Sequence, residues 1–226
     1  MFSFNVFWVC VAMVDPFREI VEDVRYLLNR EYPRERVVNF VGDRYSLSVN
    51  DRNLLRRAVY SQSEIETTKE RLVPIEAING MFLTVDGYCV LITVESALTN
   101  RPIFLCDDGV VRDISGVFGK YKQTKKTDEA LELFLKTIKA CSPKKIHIYY
   151  DSPVSKSGEL AAKTRTMLEK YGLRGEAKAV KSPDFEVLKG EIVATSDFPV
   201  IKKAKKVVDI AAFIAKKIGA KIQKMP

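Results

Sequence analysis

Residues 81–95 read MFLTVDGYCVLITVE, an apolar run broken once, at Asp86-Gly87, and then resumed. Two readings compete for that break. Asp-Gly between hydrophobic residues is a strong signal for a two-residue hairpin turn, whose central residues need positive φ. The alternative is a buried parallel strand ending at Asp86, with the carboxylate displayed where open α/β sheets present functional groups. The hairpin would make the region antiparallel, and the strand end would make it α/β.

The flanking sequence favours the second reading. From Met81 onward, short apolar strands alternate with helical patterns: MFLTVD, PIFLCDD, a helix from Thr127 to Ala140, KIHIYYD, a helix through SGELAAKTRTMLEKYG, AKAV, a short helix at PDFEVLK, EIVATSD, and a long C-terminal helix. That alternation predicts a mostly parallel sheet with crossover helices. CDDGVVRD is the exception, read as a hairpin with Asp107 and Asp108 as turn residues.

In such a sheet, strand C-termini and the starts of the following helices share one edge. Asp86, Asp151 and Asp197 each end an apolar strand, while Asp184 and Asp128 lie in first turns of helices. Asp128 also shares the stripe of Leu131, Leu135 and Ile138, which aims it at the sheet. Each acid alone has an ordinary structural explanation as a helix cap or a partner of the helix dipole. Their coincidence at one edge points to a hard-cation site, because Mg²⁺ or Mn²⁺ takes oxygen ligands and relieves the repulsion between carboxylates. The chemistry expected of such a site is phosphodiester hydrolysis, with Asp86, Asp151, Asp184 and Asp197 as catalytic candidates and Asp86, Asp184, Asp197 and Asp128 as ligands.

Basic residues near these acids suit a polyanion. Lys156 and Ser157 follow Asp151 at a helix start, where a phosphate can sit, though ordinary capping explains them equally well. Lys120, Lys122, Lys125 and Lys126, with Tyr121, form a basic, aromatic-bearing loop before Asp128. Residues 201–226 hold eight Lys and one Asp, so most of the formal net charge of +8 resides in the last helix, beginning with Lys202 and Lys203. A surface of that kind suits the phosphate backbone of a nucleic acid, although a lysine-rich helix face is more often simply solvated.

Composition bounds the rest. With 226 residues and 46% apolar content, the chain has room for one domain plus a small module. Cys10, Cys89, Cys106 and Cys141 are widely spaced, with neither a zinc nor a disulfide pattern, so reduced thiols and a cytoplasmic location are expected. A lone His147, inside KKIHIYY, argues against histidine-based zinc sites and phosphotransfer. An aspartyl-phosphate hydrolase would want a second Asp two positions after the first, and position 88 is Tyr. Residues 1–12 are apolar but too short to span a bilayer, and are read as a mis-assigned start, with Met13 the true one, or as a tail. Residues 13–72 form a small helical module: helices begin at Asp15-Pro16, near Pro33 and at Ser48, and the polar stretch SQSEIETTKERL is helical as well. The α/β domain spans residues 78–226.

VDGYCVL, SPDFEVLK and ATSDFPVI together resemble the PIN-like nucleases, in particular their NYN/YacP-type branch. The resemblance covers about residues 80 to 200 and implies a three-layer α/β/α fold, a divalent metal and RNA as substrate. Residue by residue, Asp86 matches the first acid, Asp184 the helix-start acid and Asp197 the last, with Asp151 a looser match to a strand-end acid. Cys89 stands where that branch usually has Asn, so a second reading stays open: an RNA-binding or scaffold protein with a degenerate site. The N-terminal stretches YLLNREYP and VGDRYSLSVNDRNLLRRAV resemble a helical module of unknown function that precedes such domains in archaeal proteins.

Overall fold

The structure, a computed structural model, describes residues 16–114 and 121–226. Four helices come first: α1 (Pro16–Leu28), α2 (Arg34–Arg44), α3 (Val49–Ala58) and α4 (Gln62–Arg71). Their starts follow from local chemistry. The Ser48 hydroxyl accepts the Asp51 N–H, and Ser61 and Glu64 cap each other's backbone reciprocally. Apolar residues at three- and four-residue spacing, Ile20, Val21, Val24 and Leu28 on α1 and Val37, Val38 and Val41 on α2, close on Leu55 and Val59 to give this segment its own core.

After a short 3-10 turn (Ile75–Ile78) the chain enters the sheet, in the order β1 (Phe82–Asp86), α5 (Gly87–Leu98), β2 (Ile103–Leu105), β3 (Val111–Asp113), α6 (Lys125–Cys141), β4 (Lys145–Asp151), α7 (Ser157–Lys170), β5 (Gly175–Val180), α8 (Pro183–Val187), β6 (Ile192–Ala194), α9 (Phe198–Ile201), β7 (Val207–Val208), α10 (Ile210–Lys217) and β8 (Ile222–Lys224). Five strands, ordered β5-β4-β1-β6-β7, form an all-parallel sheet. A smaller sheet, β3-β2-β8, pairs β2 antiparallel to β3 and parallel to β8.

Strand alternation explains why helices lie on both faces. Leu83, Val85, Ile146, Ile148, Ile192 and Ala194 pack with residues of α5, α6, α7 and α10. The intervening Tyr149 and Val193 turn the other way, onto Val187 of α8 and Val200 and Ile201 of α9. The expected α/β fold, with helices on both sides of a parallel sheet and a helical segment ahead of it, is therefore present.

The hairpin reading of Asp86-Gly87 fails, because both neighbours of β1 run parallel to it and Gly87 opens α5 instead of turning the chain. Gly87 is needed for close approach. A Cβ there would stand 2.4 Å from the Tyr150 ring and 2.9 Å from the Tyr149 carbonyl. The hairpin at CDDGVVRD does form, with Gly109 at φ +82. Its acids do more than turn: Asp107 pairs with Arg25 of α1 at 2.6 Å, and Asp108 grips Arg112 through two contacts of 2.6 Å, both side chains being buried.

The long C-terminal helix is not formed. Val207 and Val208 leave it to join the sheet edge as β7, Asp209 caps a new helix by accepting the Ala212 N–H at 2.8 Å, and Gly219 at φ +69 ends that helix. Lys202 and Lys203 consequently lie in a turn after α9. Helix α6 starts earlier than expected, capped by Thr124 rather than opened by Thr127.

Candidate active site

The order β5-β4-β1-β6-β7 contains a reversal. From β1 the chain adds β4 and β5 on one side, then returns to add β6 and β7 on the other. Such a switch point leaves a crevice beyond the strand C-termini, and the middle strand β1 ends there at Asp86. A cavity of about 530 Å³ opens at this position.

Four of the five expected acids line it: Asp86 from β1, Asp151 from β4, Asp184 from α8 and Asp197 at the start of α9. Asp86 is the deepest. One carboxylate oxygen accepts the Cys89 N–H at 3.2 Å, capping α5, and the other accepts the Thr195 hydroxyl at 3.3 Å. Burial pushes its carboxyl up to about 7, and the neighbouring charges of Asp197, Asp151 and Asp184 push the same way. Asp151 and Asp197 are also raised, by burial first and then by Asp184, while Arg112 and Arg57 pull Asp197 back. The acids thus sense one another across the cavity.

Asp128 does not join them. The buried face of α6 runs through Thr127, Ala130, Leu131, Phe134, Leu135 and Ile138, and Asp128 falls beside it, exposed and paired with Lys163 of α7 at 2.6 Å. The inward position belongs to Thr127, whose hydroxyl bonds Glu95 and Tyr121.

The expected basic rim is also elsewhere. Lys120 lies outside the described residues. Lys122, Lys125 and Lys126 are exposed, Lys126 being paired with Glu129, and Tyr121 is buried with its hydroxyl on Glu95. Lys156, at φ +64, leans toward Glu159, and the buried Ser157 hydroxyl donates to the Ser152 carbonyl. Of the described residues, Lys122, Lys125, Lys126, Lys156, Ser157, Lys202 and Lys203 do not line the cavity.

Its cationic wall is made of arginines instead: Arg34, Arg56 and Arg57 from the helical segment and Arg112 from β3, with Tyr60 between them. Tyr60 is covered by Arg34 at 4.5 Å and Arg112 at 4.8 Å from its ring centre, and its ring meets Phe198 at 5.5 Å. Phe104 and Cys106 pack beneath Leu54, Ala58 and Tyr60, fixing α3 over the sheet edge. A fifth acid, Asp113 at the end of β3, accepts the Ser96 hydroxyl at 2.8 Å and lines the same cavity. Nothing local marked Asp113, which follows Arg112 in the second arm of the CDDGVVRD hairpin.

Cys89 fills a structural place. Its sulfur accepts the Ser196 N–H at 3.2 Å and contacts the Ser196 hydroxyl, tying α5 to the segment that presents Asp197. Burial pushes the thiol up to about 12, so it is neutral and a poor nucleophile.

The donor set, carboxylates and hydroxyls, suits a hard divalent cation. Among the described residues, however, no three acidic, thiol or imidazole groups stand close enough together to hold a metal ion. Also among these residues, no helix is long and apolar enough to cross a membrane.

The family described as "Domain of unknown function (DUF5616)" matches residues 75–213, the sheet with all the carboxylates above. The chain belongs to that family. A second, "Protein of unknown function (DUF434)", matches residues 16–71, so the cavity lies between segments that the two families describe separately. The chain is 40% identical over 193 residues to the uncharacterized protein MJ0935 of Methanocaldococcus jannaschii, covering 84% of this DUF5616 chain and 92% of that protein. No solved structure matches.

Proposed function

We propose that the cavity binds and hydrolyses a phosphodiester of cytoplasmic RNA with the help of Mg²⁺ or Mn²⁺, as the likeness to PIN-like nucleases implies. The observation that carries this reading is the arrival of Asp86, Asp151, Asp184 and Asp197, from four separate elements, in one cavity at the switch point of a parallel sheet. Asp86, Asp184 and Asp197 would hold the ion, with Asp151 as a further oxygen donor. Mg²⁺ is commonly held by one or two carboxylates plus substrate phosphates, which fits donors that are not gathered into a cage. When bound, the ion supplies Lewis-acid charge on the phosphate and an activated water.

The protein's own residues do the rest. Thr195 and the Cys89 N–H fix the Asp86 carboxylate, and the Cys89–Ser196 contacts fix the turn before Asp197. The arginine wall adds positive potential opposite the acids, which favours a polyanion.

The same wide spacing favours a second reading, an RNA-binding scaffold without turnover. Cleavage of labelled single-stranded RNA by the purified protein in Mn²⁺, abolished by EDTA and by Asp86→Asn, supports hydrolysis. RNA binding with no turnover in any divalent metal supports the scaffold, and cleavage that Asp86→Asn leaves unchanged overturns the proposed site.

A further inference from the structure

Three of the four arginines around the cavity already have acceptors within the protein. Arg34 donates to the Arg56 and Val59 carbonyls at the end of α3 and to Glu64 at 2.7 Å. Arg56 donates to Glu35 at 2.8 Å and to Asn53 at 2.8 Å. Arg112 donates to both oxygens of Asp108 and to the Ser196 carbonyl at 2.7 Å. Each is thereby engaged in holding α3, Tyr60 or the β2–β3 turn in place.

Arg57 differs. It sits in the last turn of α3 and lines the cavity, yet among the described residues its fully buried Nε has no hydrogen-bond partner and its guanidinium forms no ion pair. Its charge still reaches Asp197, whose carboxyl it pulls down. A buried guanidinium donor without an acceptor carries a desolvation cost, and it is removed when an oxyanion occupies the fork. Phosphate oxygens match that fork, and among the described residues lining the cavity the other three arginines already have acceptors within the protein.

We propose that Arg57 is the residue through which the helical segment binds substrate, its guanidinium taking a non-bridging oxygen of an RNA backbone phosphate held in the cavity. The proposal rests on the reading of the cavity as a phosphodiester site. It gives the segment matched by the second family a role: it completes, from across the cavity, a site whose acids all come from the first.

The test is binding of a fluorescently labelled single-stranded oligoribonucleotide, followed by anisotropy in EDTA over a series of salt concentrations. The full chain is compared with Arg57→Gln, Arg57→Lys and a control of equal charge change, Arg18→Gln, whose residue is exposed on α1 and paired with Glu22. Arg57→Gln is expected to weaken binding about tenfold and to reduce the salt dependence by the equivalent of about one phosphate contact. Arg57→Lys should restore part of the affinity, and Arg18→Gln should bind within about twofold of the wild type. In Mn²⁺, Arg57→Gln should raise KM with little change in kcat.

Wild-type affinity and salt dependence in Arg57→Gln would overturn the assignment, as would weaker binding with an unchanged salt slope, which is the mark of a packing role. The two readings separate cleanly. Cleavage lost in Asp86→Asn but binding unaffected in Arg57→Gln sinks Arg57 alone, whereas Arg57-dependent binding without turnover in any metal sinks hydrolysis alone. No RNA binding by the wild type at low salt sinks both.

Discussion

Replacing Asp86 by Asn should stabilise the protein at alkaline pH, by an amount that disappears in acid. Asn is isosteric and is as good a helix N-cap as Asp, so the bond from the Cys89 N–H is kept while the charge is lost. In the fold the Asp86 carboxyl titrates near 7 instead of 3.8. Between those values the folded chain holds a proton that the unfolded chain has released. Stability therefore falls as pH rises through this window and levels off above about 7. The full gap is worth at most about 4 kcal/mol, and relaxation of the neighbouring acids reduces it, so a gain of about 1–3 kcal/mol is expected for Asp86→Asn at pH 8. For a chain of this size that corresponds to a rise in Tm of about 3–10 °C. Thermal unfolding of the two proteins in EDTA at pH 5 and pH 8 measures it. A Tm difference that is the same at both pH values, or a variant less stable than the wild type at pH 8, would refute the account of Asp86 as a charge held at a cost in stability.

Other consequences are more local. Gly87→Ala should cost about 1–3 kcal/mol in urea unfolding, because the new methyl meets the Tyr150 ring and the Tyr149 carbonyl; a neutral result would contradict the packing at that turn. Asp108→Ala should cost about 3–5 kcal/mol by leaving the buried Arg112 guanidinium without its two-pronged partner, and a loss under 1 kcal/mol would mean the pair is not buried as described. Cys89 should resist alkylation at pH 8 in the folded protein and react once it is unfolded, as mass spectrometry of the peptide would show; rapid native labelling would argue against the buried neutral thiol.

The sequence made the sheet and its acids legible because both obey short-range rules. Short apolar runs marked β1, β4 and β6; the first two strands end on an Asp and the third ends three residues before one, so Asp86, Asp151 and Asp197 could be placed at one edge from the sequence. Asp128 was misplaced because a stripe read from three leucine and isoleucine positions is compatible with two neighbouring first-turn residues, and the buried one is Thr127. The arginine wall was not legible at all. Arg34, Arg57 and Arg112 are far apart in the chain and share no motif, and they meet because Leu54, Ala58 and Tyr60 pack on Phe104 and Cys106. The lysine runs drew attention for the opposite reason, since clustered charge is conspicuous in sequence even where it ends up solvated. The C-terminal helix failed because its lysine-rich stretch reads as helical while the two valines after it fit a sheet edge, where they add a fifth strand.

The most direct test of the central claim is metal-dependent cleavage of labelled single-stranded RNA by a panel of four single variants, Asp86→Asn, Asp184→Asn, Asp197→Asn and Asp128→Asn, beside the wild type in Mn²⁺. The cavity described here predicts that the first three lose cleavage by at least a hundredfold while Asp128→Asn, whose carboxylate faces Lys163 outside the cavity, cleaves as the wild type does. Equal activity across the panel, or loss in Asp128→Asn matching that in Asp86→Asn, would contradict it.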